Sequence, residues 1–308
     1  MMDAPDGGPV VVERAAAKIN LALHVTGRRG DGYHLLDSLV TFADFGDRLS
    51  FAPSRRDAFT LSGRFAGDLP HHDDPETGNL VLKARNLLRD AAGQAGGEVG
   101  PVHIHLEKNL PPASGIGGGS ADAAAVLRGL SHLFDTKLGW HTLAQLGLSL
   151  GADVPMCLAS RPLIARGIGE VILPATGFPR LFLVLANPLL PVATPAVFAA
   201  LENRHNAPLA IDETLPVHPP DWLLLVQKSR NDLQLPASRI APEIHGVLDA
   251  LTSAGASLSR MSGSGATCFG LFVDLESAIA AADRLSHARP DWFVAATATL
   301  AEGEDDHV

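Results

Sequence analysis

The sequence predicts an α+β chain of two domains, and three observations carry the prediction. Strand-like alternation runs through Val10–Phe51 and returns at Val102–Leu106; a glycine-rich loop at 111–119 leads straight into an alanine-rich helix; and the second half orders its helices and strands as an antiparallel sheet covered by helices would. With 308 residues, 46% of them hydrophobic, the chain has material for two cores, since a domain takes about 100–200 residues. The boundary is expected near residue 165, dividing the chain into 1–165 and 166–308, because Gly and Pro crowd Ser160–Pro179 ahead of a buried strand at Leu181–Ala186.

Val10–Val12 and Ile19–Thr26 read as strands, the second because Leu21, Leu23 and Val25 alternate with Asn20, Ala22 and His24. Asn79–Ala92 reads as a helix from the spacing of Leu80, Ala84, Leu87, Leu88 and Ala91. Val102, Ile104 and Leu106 mark a half-buried strand. Its His103 and His105 read as solvated or locally paired, since two histidines at i, i+2 find no third ligand nearby. A helix over Ser120–Phe134 is apolar at Ala123, Val126, Leu127, Leu130 and Phe134, and another follows at Thr142–Leu150. The second half reads helix 195–202, helix 222–225, helix 242–254, strand 257–261, strand 267–273, helix 276–287 and strand 292–300. Both tails, Met1–Gly8 and Glu302–Val308, read as disordered.

The loop Pro111-Pro112-Ala113-Ser114-Gly115-Ile116-Gly117-Gly118-Gly119-Ser120 is the richest in chemistry. Its glycines have no Cβ to hold a ligand off, and the helix behind them turns unpaired N–H groups and a partial positive charge toward the loop. That combination is a phosphate site. It is not a P-loop, because no Gly-Lys pair occurs in the chain, and it is not a dinucleotide fingerprint, because Ser120 stands where G-x-G-x-x-G needs its third glycine.

A net charge of −10 argues against a general polyanion or nucleic-acid binder, so any phosphate must be held by local geometry. Cys157 and Cys268 are too few and too far apart for a disulfide framework or a zinc site. No apolar run approaches the length of a membrane span and the N-terminus carries no export signal, so a cytoplasmic chain is expected. A second glycine cluster, Met261-Ser-Gly263-Ser264-Gly265-Ala-Thr267, is either a tight hairpin turn or a second wall of the same anion site. Lys18, one of only five lysines, and Asp153 are each a lone charge in an apolar context. Both are expected to be buried and to pair across the fold, either as a structural ion pair or as the carboxylate and cation that phosphoryl transfer to an alcohol requires.

Together, Ala17-Lys-Ile-Asn-Leu21, Pro111–Ala125 and Met261–Phe269 resemble the three motifs of the GHMP kinases, named for galactokinase, homoserine kinase, mevalonate kinase and phosphomevalonate kinase. The resemblance covers nearly the whole chain. It implies a ribosomal protein S5 domain 2-like amino-terminal domain that binds ATP, a ferredoxin-like carboxy-terminal domain on the substrate side, and a cleft between them. It also implies Asp153 as catalytic base with Lys18 beside it, and the loop residues Pro111, Pro112, Ala113, Ser114, Gly115, Ile116, Gly117, Gly118, Gly119 and Ser120 around the ATP phosphates. Lys108 and Asn79 would lie near the nucleotide base or ribose, and Ser120 near Mg²⁺.

The segment His24-Val-Thr-Gly-Arg-Arg-Gly-Asp-Gly-Tyr-His34, with Gly151–Pro155 and Thr194-Pro195, resembles the branch of the family that acts on a cytidylated methylerythritol. There Asn20 would bond the diol, Tyr33 and Phe198 would sandwich the cytosine, His34 would read its edge, and Thr194, Gly263, Ser264 and Gly265 would line the diphosphate. The implied partners are this small molecule, ATP and Mg²⁺, with no nucleic acid or membrane, in a monomer or weak homodimer. The loop departs from the motif at Ala113-Ser114 and Ile116, and no glutamate offers itself as a second Mg²⁺ ligand. The alternatives are another small-alcohol kinase, such as one acting on homoserine, and a catalytically silent nucleotide-binding regulator on the same fold.

Overall fold

The computed structural model describes residues 10–69, 78–211 and 215–300; both tails read as disordered lie outside these. The expected strands at 10–12 and 19–26 form one continuous strand, β1 (Val11–Arg28), paired antiparallel along its length with β2 (His34–Pro53). Alanines 15–17, fully or nearly buried, carry the strand through the gap, because tertiary packing outweighs their weak intrinsic β preference. Register shifts between Ala16 and Lys18 and between Asn20 and Ala22 bracket the Lys18-Ile19-Asn20 segment.

The first sheet runs β3 (Ala58–Ser62), β4 (Val102–Glu107), β2, β5 (Leu163–Gly167), β6 (Val171–Pro174), with β1 on the remaining edge of β2. Four helices cover it: α1 (Leu80–Gln94), α2 (Gly118–Leu133), α3 (Trp140–Leu150) and α4 (Val154–Ala159). Val102, Ile104 and Leu106 of β4 are buried beneath them. His103 and His105 bond to Thr60 and Ser62 of the neighbouring β3 at 2.8–2.9 Å, the local pairing expected of them.

The second sheet, ordered β10 (Phe293–Ala298), β7 (Phe182–Asn187), β9 (Cys268–Phe272), β8 (Leu258–Met261), is antiparallel throughout. In chain order that is 4-1-3-2, the ferredoxin-like arrangement. Helices α5 (Thr194–Ala199), α6 (Pro219–Lys228), α7 (Gln234–Ile240), α8 (Glu243–Ser253) and α9 (Leu275–Ala288) complete this half. The expected boundary near residue 165 falls within β5, which pairs with β2, and the segment between the sheets is 175–181. The halves share a core in which Ile19, Leu21 and Leu39 meet Leu183, Leu185 and Phe269. They also join at the free edge of β1, where Leu23 N donates to Arg230 O and Asp232 N to Leu23 O, both at 2.9 Å.

Candidate active site

Lys18 and Asn20, two residues apart on β1, share one face of the strand. Lys18 Nζ donates to Asn20 Oδ1 at 3.1 Å and lies 3.1 Å from Asp153 Oδ2. The expected pairing across the fold is therefore present. The expected burial of both partners is not: the Lys18 side chain is 5% exposed, but that of Asp153 is 44% exposed. Asp153 immediately precedes α4, a six-residue helix with Pro155 in its first turn, and this corner turns the carboxylate outward into a cleft. Asn20 Nδ2 donates to Ser38 Oγ at 2.7 Å, which fixes the amide.

The cleft is lined by Lys18, Asn20, Asp153, Ala113, Ser114, Gly115, Gly117, Gly118, Gly119, Ser120, Thr194, Phe198, Gly263 and Ser264, so most of the expected site residues converge. Gly117, at φ +67°, is the cap residue before α2, and a Cβ there would sit 3.1 Å from Lys18 Cβ. The first-turn N–H groups of α2, from Gly118 onward, have no partner within the helix and remain available to an anion. The buried Ile116 takes no part in the lining; its carbonyl accepts Lys18 N at 2.9 Å. Pro111 is a partner within the loop, its carbonyl accepting Ser114 Oγ at 2.6 Å, while Pro112 is exposed.

The second glycine cluster packs directly on the first loop. A Cβ on Gly115 would come within 2.7 Å of Gly265 O and 2.8 Å of Ser262 O, so only glycine allows the approach. Ser262 Oγ accepts Asn20 N at 3.0 Å and donates to Gly115 O at 3.2 Å, and Thr267 N donates to Ser114 O at 3.1 Å. Thr194 and Ser264 hydroxyls bond at 2.8 Å across the mouth. Asn231, which the sequence reading passed over, gives Nδ2 to the carbonyls of Met261 at 2.7 Å and Gly263 at 2.8 Å. An Asn between two charged residues reads as an ordinary turn, and no local signal links it to a loop thirty positions on.

Two expected nucleotide residues have other occupations. Asn79 caps α1, its side chain accepting Val81 N at 2.9 Å. Lys108 lies beneath the loop, outside the cleft lining, with Nζ 2.5 Å from Asp47 and 2.7 Å from Asp122. Burial alone would lower its pKa, but the two carboxylates reverse this and hold it above the usual lysine range. Asp47 Oδ1 also accepts Asn109 N at 2.6 Å and Leu110 N at 2.8 Å, pinning the start of the loop. Asp122 is pushed up to about 8 by burial, with Lys108 opposing and Asp47 adding to the shift. Cys157, near Gly117, is pushed up to about 12 chiefly by burial and is no nucleophile.

The cleft opens into a second cavity of about 760 Å³, lined by Arg28, Tyr33, His34, Asp153, Thr194, Phe198 and Arg204 among others. His34 stacks on Phe198, with ring centroids 4.7 Å apart and planes 22° apart. Tyr33 is 58% exposed beside them. His34 Nε2 is buried without a hydrogen-bond partner among the described residues. Burial first, then the charges of Arg28 and Arg204, keep His34 below the usual imidazole range and so neutral.

A glycine-loop helix start with open N–H groups, lining one cleft with a lysine–carboxylate pair, is the geometry expected of a small-molecule kinase. The GHMP kinases N terminal domain model matches residues 79–161, and the GHMP kinases C terminal model matches 221–291. A 4-diphosphocytidyl-2-C-methyl-D-erythritol kinase of Rhizobium etli is 57% identical over 293 residues, covering 95% of this chain and 96% of its own length. The protein of the same name in Sinorhizobium medicae is 54% identical over 297 residues, covering 96% and 98%. The crystal structure of a 4-(cytidine 5'-diphospho)-2C-methyl-D-erythritol kinase, 33% identical, covers 94% of this chain and all of its own, with a TM-score of 0.75. A homoserine kinase from Cytophaga hutchinsonii, at TM-score 0.69 but 16% identity over 98% of both chains, shares the fold. The chain belongs to the GHMP kinases and, within them, to the family of the 4-diphosphocytidyl-2-C-methyl-D-erythritol kinases. It is an ATP-dependent kinase. Among the described residues no helix is long and apolar enough to cross a membrane.

Proposed function

We propose that the chain transfers the γ-phosphate of ATP to the 2-hydroxyl of 4-diphosphocytidyl-2-C-methyl-D-erythritol, giving the 2-phosphate and ADP on the route to isoprenoid precursors. The observation that carries this acceptor is the aromatic cavity joined to the Lys18–Asp153 cleft, where stacked His34 and Phe198 leave a buried imidazole nitrogen unpartnered. A flat heterocycle with a polar edge fits both features. The names of relatives more than half identical support it.

In this reading the 2-hydroxyl lies against Asp153, its oxygen attacks the γ-phosphorus, the bond to the ADP oxygen breaks, and the proton passes to the carboxylate. Asp153 is 44% exposed and returns that proton to solvent. Lys18, 3.1 Å from the carboxylate, holds it in place and balances the charge of the incoming phosphate. Asn20, fixed by Ser38, presents the remainder of its amide to the diol. The N–H groups of 117–120 hold the ATP phosphates, and Thr194, Gly263, Ser264 and Gly265 border the acceptor's diphosphate.

Mg²⁺ takes oxygen ligands and keeps several waters, needing one or two protein oxygens besides phosphate. The Ser120 hydroxyl, lining the cleft in the first turn of α2, would supply one such oxygen, with phosphate and water supplying the rest. The ion would neutralise charge on the phosphates. Lys108 acts on the nucleotide side through Asp47, which pins the start of the loop, and Asn79 through its cap on α1. The expected division into 1–165 toward ATP and 166–308 toward the acceptor is modified: the first half carries the ATP loop but also gives Asn20, Tyr33, His34 and Asp153 to the acceptor, and the second half adds Thr194, Phe198 and the 263–265 turn, in a cytoplasmic monomer or weak homodimer. ADP release with Mg²⁺-ATP tests the reading, comparing the cytidylated alcohol with homoserine and mevalonate. Turnover with the cytidylated alcohol alone is expected, and turnover of another alcohol in its place would overturn the acceptor.

A further inference from the structure

We infer that Arg28 and Arg204 form a guanidinium clasp for the phosphate on the nucleoside side of the acceptor's diphosphate, an inference that rests on the acceptor proposed above. Both side chains line the aromatic cavity, Arg28 from the end of β1 and Arg204 from the turn after α5. Arg204 is half-buried, and its Nε lies buried without a hydrogen-bond partner among the described residues. The one side-chain bond seen for Arg28 runs from Nε to Gly32 O at 3.2 Å and leaves its outer amino groups without a partner among the described residues.

The charge balance of the cavity points the same way. Of its described lining residues, Asp31 and Asp153 are the carboxylates. Asp31 is taken by Arg29 at 2.6 Å and by Tyr33 N, and Asp153 is taken by Lys18. Two positive charges therefore remain uncompensated in one cavity of a chain whose net charge is −10. Both act on the His34 ring, whose pKa they lower after burial has done so, and this puts them within electrostatic reach of the heterocycle slot. A guanidinium presents paired donors that match two phosphate oxygens, and a substrate whose diphosphate is one ribose away from its base supplies that anion.

Steady-state kinetics of Arg204→Met, Arg28→Met and Arg204→Lys, with CDP and cytidine as competing ligands, test the clasp. The KM for the cytidylated alcohol is expected to rise about 10- to 100-fold in Arg204→Met, the worth of a charge-assisted pair. The KM for ATP should stay within about twofold, because the loop residues other than Ser120 line the cleft and not the aromatic cavity. The preference for CDP over cytidine should shrink by the same factor as the acceptor affinity, and Arg204→Lys should keep part of it. Equal losses of CDP and cytidine binding, or no loss of either, would overturn the clasp. The two readings fail separately. If the wild-type chain turns over the cytidylated alcohol and the variants keep its KM, the clasp alone falls; if it does not turn it over but prefers CDP through these arginines, the acceptor alone falls.

Discussion

The two ends of the cleft differ in how completely their polar groups are used. At the glycine-loop end, Ser262 joins Asn20 to Gly115, Thr267 holds Ser114, Asn231 holds two carbonyls of the second loop, and Asp47 pins residues 109 and 110. At the aromatic end, His34 Nε2 and Arg204 Nε are buried with no partner among the described residues, and Tyr33 stands open to solvent. A site whose donors and acceptors are already bonded to each other holds a shape, which suits phosphoryl transfer, where positioning and preset charge do most of the catalysis. A site with buried polar atoms left over awaits a ligand, since such atoms are costly while unpaired. The exception at the first end is Asp122 Oδ1, buried without a partner beside Lys108.

The comparison can be broken at several points. Asp153→Asn is expected to lower kcat by about 10²–10⁴, the range for removing a general base, with little change in ATP affinity by calorimetry; an unchanged rate would remove Asp153 from the chemistry. Lys108→Met strips the cation from the fully buried Asp47 carboxylate and a hydrogen-bond donor from the Asp122 carboxyl, and should cost about 3–5 kcal/mol of stability in a denaturant titration. Gly115→Ala forces a Cβ to 2.7 Å from Gly265 O at a φ of +78°, so the loops must separate. This should cost about 1–3 kcal/mol and a larger share of kcat/KM than Asn231→Ala. That second variant leaves the carbonyls of Met261 and Gly263 short of partners, for about 1–3 kcal/mol by the same titration.

Asp122→Asn is the gentlest test, and its sign is set by linkage. The carboxyl has its pKa raised on folding to about 8, chiefly by burial, so the native state binds the extra proton between the unfolded value near 4 and 8. Stability is full below that window and is lost as pH rises through it. The amide cannot ionise, so the variant should show a flatter stability–pH curve between pH 5 and 8, read from Tm. A curve as steep as the wild type's would mean that Asp122 is already ionised in the folded protein and held by Lys108.

The loop, its helix and the Lys18–Asp153 pair could be read from the chain because each has a local sign: glycines without Cβ, an apolar period of 3.6, and a lone charge among alanines. The ferredoxin-like order of the second sheet followed from the motifs rather than from any pattern in the strands. What escaped was non-local or short. Strand β3 pairs parallel to β4 across a long connection, β5 and β6 sit in a Gly/Pro-rich stretch that reads as loop, and α4 and α7 have only six and seven residues. Asp47 and Asp122 carry no local sign of their role. Their meaning lies in one lysine 61 and 14 positions away, and nothing in the spacing announces it.

The central claim is that the open end of the cleft reads the cytidylyl group while the closed end performs the transfer. The most direct test compares kcat/KM for the cytidylated alcohol with that for the same polyol phosphate lacking the cytidylyl group, at saturating Mg²⁺-ATP. Binding energy from the remote base and its phosphate positions the reacting hydroxyl. The truncated acceptor should therefore lose at least about 10³ in kcat/KM, and part of that loss should appear in kcat. Equal values for the two acceptors would contradict the account.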